Sequence, residues 1–148
     1  MSIAEYLLKT TPMMIDSALL IARLFIGICF LTHGLGKLGI VGTGNMSGFV
    51  GWLKSMNIPF AEAQARMAML AEVSGGILIA LGLFTRVGLV MCFFTMVVAV
   101  VLGHKGAGYL ITNTPPGNEY ALNLAAICVV LFLLGPGTFS LDAVIFLF

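Results

Sequence analysis

The chain has 148 residues, of which 60% are hydrophobic and 9% charged, and its formal net charge is +1. Soluble domains carry about 25% charged residues, so this composition excludes a water-covered globular surface and places the chain in a membrane. So balanced a charge gives a polyanion nothing to grip, which excludes nucleic-acid binding.

From the N-terminus, residues 2–9 read as a short amphipathic lead-in along the membrane surface, with Ser2 and Glu5 spaced as a capping box. Thr11-Pro12 then supply an N-cap and a proline for a first helical turn. The apolar run that follows contains Arg23 and lacks a small-x-small cleavage site, so it is expected to stay as a span rather than leave as a signal. Four apolar stretches, about 17–38, 64–84, 86–103 and 119–135, approach the roughly 20 residues that cross a hydrocarbon core of about 30 Å. The third and fourth are short and are expected to begin or end in the interface or to meet a thinned bilayer. The expectation is an all-α membrane protein with one domain over residues 1–148: a four-transmembrane-helix bundle with an interfacial amphipathic helix between spans 1 and 2.

Polar groups at membrane depth are costly unless paired or used. In the first span Arg23, Gly27, Phe30, Gly34 and Lys37 share one helical face, and His33 lies about 80° from Arg23. In the second, Glu72 shares a face with Ala68, Gly76 and Ala80, with Gly75 alongside. Small residues let helix backbones approach in lipid, so Glu72 is expected to face a neighbouring helix. A buried ion pair of Arg23 with Glu72 is the simplest reading, since either charge alone would cost about 2.5–3.5 kcal/mol.

Between the second and third spans, Gly82 can end one helix and Thr85 cap the next, giving a tight antiparallel hairpin. The first longer connection holds the interfacial helix, with Phe49, Trp52, Leu53 and Met56 at i, i+3, i+4 and i+7. Trp52 and Lys54 suit the headgroup level, and Asn57-Ile58-Pro59 turns the chain back. The second connection, residues 106–118, is rich in Gly, Pro, Thr and Asn and reads as a loop. This topology gathers His33, Lys37, Glu62, Arg66, His104, Lys105 and Glu119 at one membrane face, as a polar vestibule roofed by the Trp52 helix. Arg66 and Lys105 read as headgroup charges, and Glu119 also suits simple compensation of a helix dipole. Lys37, Lys54, Arg66 and Lys105 on that face oppose Lys9 and Arg86 on the other, a margin too small to fix orientation.

Cys29, Cys92 and Cys128 stand singly in apolar runs, without a Cys-x-x-Cys pair, and read as small apolar fillers. His33 and His104 end spans at the same level, but two histidines are a poor signal for a bis-histidine haem. There is no His-x-x-x-His, and Gly42-Thr43-Gly44-Asn45 lacks the Lys-Ser/Thr of a phosphate loop. No metal and no covalently bound cofactor is expected.

Arg23-Leu-Phe-Ile-Gly27 followed by His33-Gly34-Leu-Gly-Lys37-Leu resembles the opening signature of the DoxX family of small bacterial membrane proteins. Gly51-Trp52-Leu-Lys-Ser-Met-Asn-Ile-Pro59, Ala71-Glu72-Val-Ser-Gly75-Gly76, Leu81-Gly82-Leu-Phe-Thr85-Arg86 and Asn118-Glu119-Tyr120-Ala121 resemble its later blocks, in order. Leu134-Gly135-Pro136-Gly137 with Ser140-Leu141-Asp142 resembles its ending. The resemblance implies a four-span protein of the bacterial inner membrane, associated with quinone-linked oxidoreductase or oxidative-stress systems. Three functions follow as expectations. The first is a redox-associated subunit binding a quinone-like or small amphipathic ligand in a cleft of His33, Lys37, Trp52, His104 and Glu119. The second is a non-enzymatic anchor or assembly factor that recruits soluble redox proteins through the loop face. The third is a small-molecule transporter, which would need a homo-oligomer.

Overall fold

A computed structural model describes Ile3 and residues 8–146. Ser2 and Glu5, the expected capping box of the lead-in, lie outside the described residues. Helix α1 covers Pro12–Lys37, α2 Met46–Ser55, α3 Ala61–Leu81, α4 Thr85–Val98, α5 Glu119–Leu134 and α6 Leu141–Phe146. A π-helical turn, Ala99–Gly103, continues α4. No strand occurs among the described residues.

Helix α1 starts where its cap dictates. Thr11 Oγ1 accepts the Met14 N–H at 3.2 Å, and Pro12 occupies the first turn. The helix therefore begins ahead of the apolar run at about residue 17. Asn45 caps α2 in the same way, its Oδ1 accepting the Gly48 N–H at 2.7 Å. Gly82, at φ 67°, closes α3 in the left-handed conformation that glycine adopts without strain.

The start of α4 departs from expectation. Thr85 is the first helical residue rather than the cap, and its hydroxyl donates to Asp142 at 2.7 Å. The Asp142 carboxylate also accepts the N–H groups of Phe84 (2.6 Å) and Thr85 (2.9 Å). A carboxylate at a helix N-terminus satisfies free donors and meets the positive end of the dipole. The cap thus comes from α6, far along the chain.

Pro12–Lys37, Ala61–Leu81 and Thr85–Gly103 are long and apolar enough to cross a membrane. Helix α5 is apolar throughout but has 16 residues, or about 24 Å at 1.5 Å per residue, less than a hydrocarbon core of about 30 Å. Gly135, at φ 84°, stops it. Of the four expected spans, three meet the length criterion.

Helix α3 is the central rod. Against α1, a Cβ on Gly27 would lie 2.6 Å from Gly76 O and Ala80 N, so the two backbones touch. On the other side, Gly75 meets α4, where a Cβ would lie 2.6 Å from Cys92 Sγ. The expected small-residue face is real and serves two neighbours. Phe30, Ile79, Leu89, Cys92, Leu124 and Cys128 unite α1, α3, α4 and α5 in one core. A second cluster, Leu53 with Ala61 and Ala65, fastens α2 to the start of α3. Elsewhere large apolar side chains such as Phe25 and Leu133 point outward, as acyl chains require.

Candidate functional site

Pinning α2 over the loop ends of α1, α3 and α4 encloses a cavity of about 490 Å³, which the first turn of α5 also lines. Its volume lies in the range of small-molecule sites, and its walls are mostly apolar with a few polar groups. Met56, Met67, Met91 and Met96 supply adaptable walls, with Phe94 beside them.

At its base Lys37 and Glu72 form an ion pair, with side chains 17% and 2% exposed. This corrects the expected partnership: Glu72 takes Lys37, and Arg23 does not reach it. Depth explains the exchange. Lys37 is the last residue of α1, and its flexible stem reaches back to Glu72 midway along α3, whereas Arg23, midway along α1, sends its guanidinium to Gly82 at the far end of α3. The Lys37 ammonium also sits 5.0 Å from the centre of the Phe49 ring in α2. It therefore ties the roof to the base through a cation–π contact.

His33 stands one turn before Lys37 and lines the same cavity. Its Nδ1–H donates to the Cys29 carbonyl at 2.8 Å and lies 3.1 Å from Tyr120 Oη. The two rings stack with centres 5.0 Å apart at 27°. Tyr120 Oη in turn lies 3.4 Å from Cys29 Sγ. Imidazole, phenol and thiol thus form one hydrogen-bonded cluster on α1 and α5. The cysteine is more than filler here; Cys92 and Cys128 are buried in the core.

The roof closes on Trp52. Its ring packs on Gly103, where a Cβ would stand 2.9 Å from the indole edge. Phe49 stacks beside it at 5.9 Å. Gly103 belongs to the π-helical turn, and such wide turns recur at functional sites. His104 follows and also lines the cavity, its Nδ1–H donating to Pro116 O at 2.9 Å.

Four members of the expected vestibule fall outside it. Glu119 turns back onto the 106–118 loop, where its Oε2 accepts the Ile111 N–H at 3.0 Å and its N–H donates to Tyr109 O at 2.8 Å. It fastens the loop to the start of α5 and does not line the cavity. Glu62 pairs with Lys54 at 3.5 Å on an exposed surface, and Arg66 and Lys105 are exposed. Of the five predicted ligand contacts, His33, Lys37, Trp52 and His104 converge and Glu119 does not.

Arg23 builds a different structure at the opposite end. It is fully buried, donates to the Phe139 carbonyl, and faces the Asp142 charge across the Gly82 turn. Asp16 Oδ1 accepts the Thr138 N–H at 2.9 Å and binds the same segment to α1.

Tyr120 and Cys29 were not singled out from the sequence as site residues. A signal for Tyr120 existed: with Leu124, Cys128 and Leu131 it makes an i, i+4, i+8, i+11 stripe along α5, the face turned to the core. Among the described residues no group of three or more His, Cys, Asp or Glu side chains converges as a metal site.

Residues 18–105 match the DoxX family model. The chain is also 32% identical over 130 residues to the inner membrane protein YphA of Escherichia coli (strain K12), a similarity covering 84% of this chain and 87% of that protein. No solved structure matches the chain. Signature blocks, apolar helices and relative agree: the chain belongs to the DoxX family and is a multi-pass protein of the inner membrane.

Proposed function

We propose that this protein is the membrane subunit of a quinone-linked oxidoreductase or oxidative-stress system, and that it binds a quinone-like or small amphipathic ligand in the cavity under α2. The observation carrying this reading is the pairing of a buried Lys37–Glu72 base with an apolar, methionine-lined body and an aromatic roof. That combination suits a molecule with a polar ring and a greasy tail. In this reading α5 is the fourth span, its short length offset by bilayer thinning or by the 135–140 segment. Helix α2 lies in the interface, with Trp52 and Lys54 at the headgroups. The ligand enters from the bilayer beside α2, and soluble redox proteins supply or remove electrons.

The test is quinone binding by protein purified in mild detergent, with lipid extraction and mass spectrometry of what it carries. Quinone should co-purify, and decylubiquinone should bind with saturation. Ala68→Trp, which fills the cavity from α3, should abolish binding while leaving the thermal transition in place. Wild-type protein that binds no quinone, or an Ala68→Trp variant that binds it as before, overturns the reading.

A further inference from the structure

The two cavity histidines share a constraint with a chemical consequence. His33 Nδ1 lies 2.8 Å from the Cys29 carbonyl, and His104 Nδ1 lies 2.9 Å from the Pro116 carbonyl. A carbonyl oxygen only accepts, so in each ring the proton must reside on Nδ1. The other nitrogen, Nε2, then carries only a lone pair when the ring is neutral. Neither Nε2 has a hydrogen-bond partner among the described residues. Stacking on Tyr120 holds the His33 ring in its plane, and turning the ring over within that plane would take Nδ1 away from the Cys29 carbonyl.

Several other polar groups of the cavity already have partners. Tyr120 Oη takes the His33 side and faces Cys29 Sγ. Thr95 donates to Met91 O, and Gln64 Nε2 donates to Pro59 O. Donors left for a ligand are the remaining Lys37 ammonium hydrogens, the second Gln64 amide hydrogen and the Trp52 indole N–H. A ligand oxygen could accept from these in any oxidation state. Acceptors left are the two imidazole Nε2 atoms, Gln64 Oε1 and the Glu72 carboxylate, and only a ligand that donates protons can use them.

We infer that the cavity selects a hydroxyl-donating ligand, so that a dihydroxy-aromatic quinol binds in preference to the quinone, with His33 and His104 as the acceptors of its hydroxyls. A quinone carbonyl facing an imidazole lone pair leaves both groups unsatisfied and sets two acceptors against each other. His33 is exposed and His104 half-buried, so a ligand that covers them without donating to them strips their water unreplaced, which weakens binding by roughly tenfold or more. This inference rests on the ligand class proposed above, and it adds which redox form the site holds and which atoms recognise it.

The experiment is an anaerobic titration of the full chain in detergent with decylubiquinol and with decylubiquinone. Both titrations are run in the same buffer at pH 8. Wild-type protein should bind the quinol roughly tenfold more tightly or better. The doubly substituted His33→Phe, His104→Phe protein, checked for an unchanged thermal transition, should bind both forms with similar affinity. Equal or tighter wild-type binding of the quinone overturns the selectivity while leaving the ligand reading intact. A preference that survives in the double variant removes the histidines as its cause. Binding of neither form overturns the ligand reading, and the selectivity with it. The wild-type comparison decides the selectivity even if the double variant does not fold.

Discussion

Each end of the bundle buries a cation, and the two ends treat it in opposite ways. At the turn end Arg23 is buried against the Phe139 carbonyl and the Gly82 turn, within the field of the Asp142 charge, and its Nε and Nη1 have no hydrogen-bond partner among the described residues. Asp142 is itself consumed in three hydrogen bonds to Phe84 and Thr85. At the loop end Lys37 meets Glu72 beside 490 Å³ of open volume, under a helix that rests on aromatic contacts. A buried charge is therefore no label of function. What separates a fastening from a binding site is whether open volume remains beside the charge.

Breaking the loop-end pair should have the largest effect. Glu72→Leu leaves the largely buried Lys37 unpaired, and about 3–5 kcal/mol of stability should be lost in thermal unfolding. The double change Lys37→Met, Glu72→Leu should regain most of it, because an apolar pair of similar volume replaces buried ions at little cost. Ligand binding should stay lost in the double variant. Retained binding would show that the pair is a fastening like Arg23.

Asp142→Ala probes the other side of the comparison. Losing the cap of α4 should cost about 2 kcal/mol and leave the affinity for decylubiquinone unchanged. A weaker affinity would mean that the two ends are coupled. Next, Gly103→Leu forces the Trp52 ring off its seat, an overpacking worth about 1–3 kcal/mol. Trp52 is the chain's one tryptophan, so the fluorescence maximum should shift to the red and report the roof directly. The smallest change is Tyr120→Phe, which removes one hydroxyl from the His33–Cys29 cluster. It should cost no more than about 1 kcal/mol and weaken ligand binding a few-fold. An unaltered affinity would confine the cluster to a structural part.

Much of this architecture was legible in local pattern. Thr11-Pro12, Asn57-Ile58-Pro59 and Gly82 marked ends and turns because caps, proline and left-handed residues act within a few positions. The 3.6-residue period put His33 and Lys37 together and placed Trp52 on the roof helix. What failed was partner choice. Arg23 and Lys37 share a face of α1, so periodicity could not say which of them meets Glu72; depth along the helix decided it. Glu119 had the right position at the start of α5, yet its side chain found loop amides closer than the cavity. Thr85 had the right chemistry for a cap, but Asp142 brings a full charge to the same donors. Each miss is a competition settled by three-dimensional distance, which a one-dimensional spacing does not contain.

The Asp142 cap also sets an order of events during synthesis. Thr85 and Asp142 are separated by 57 residues, so at about 5–20 residues per second the ribosome runs for roughly 3–11 s between them. Throughout that interval the amides at the tip of the α3–α4 hairpin lack the carboxylate that caps them. The hairpin is finished only when the following helix has threaded back and Asp142 has docked, so a stalled or shortened nascent chain would present an incomplete hairpin to quality-control proteases.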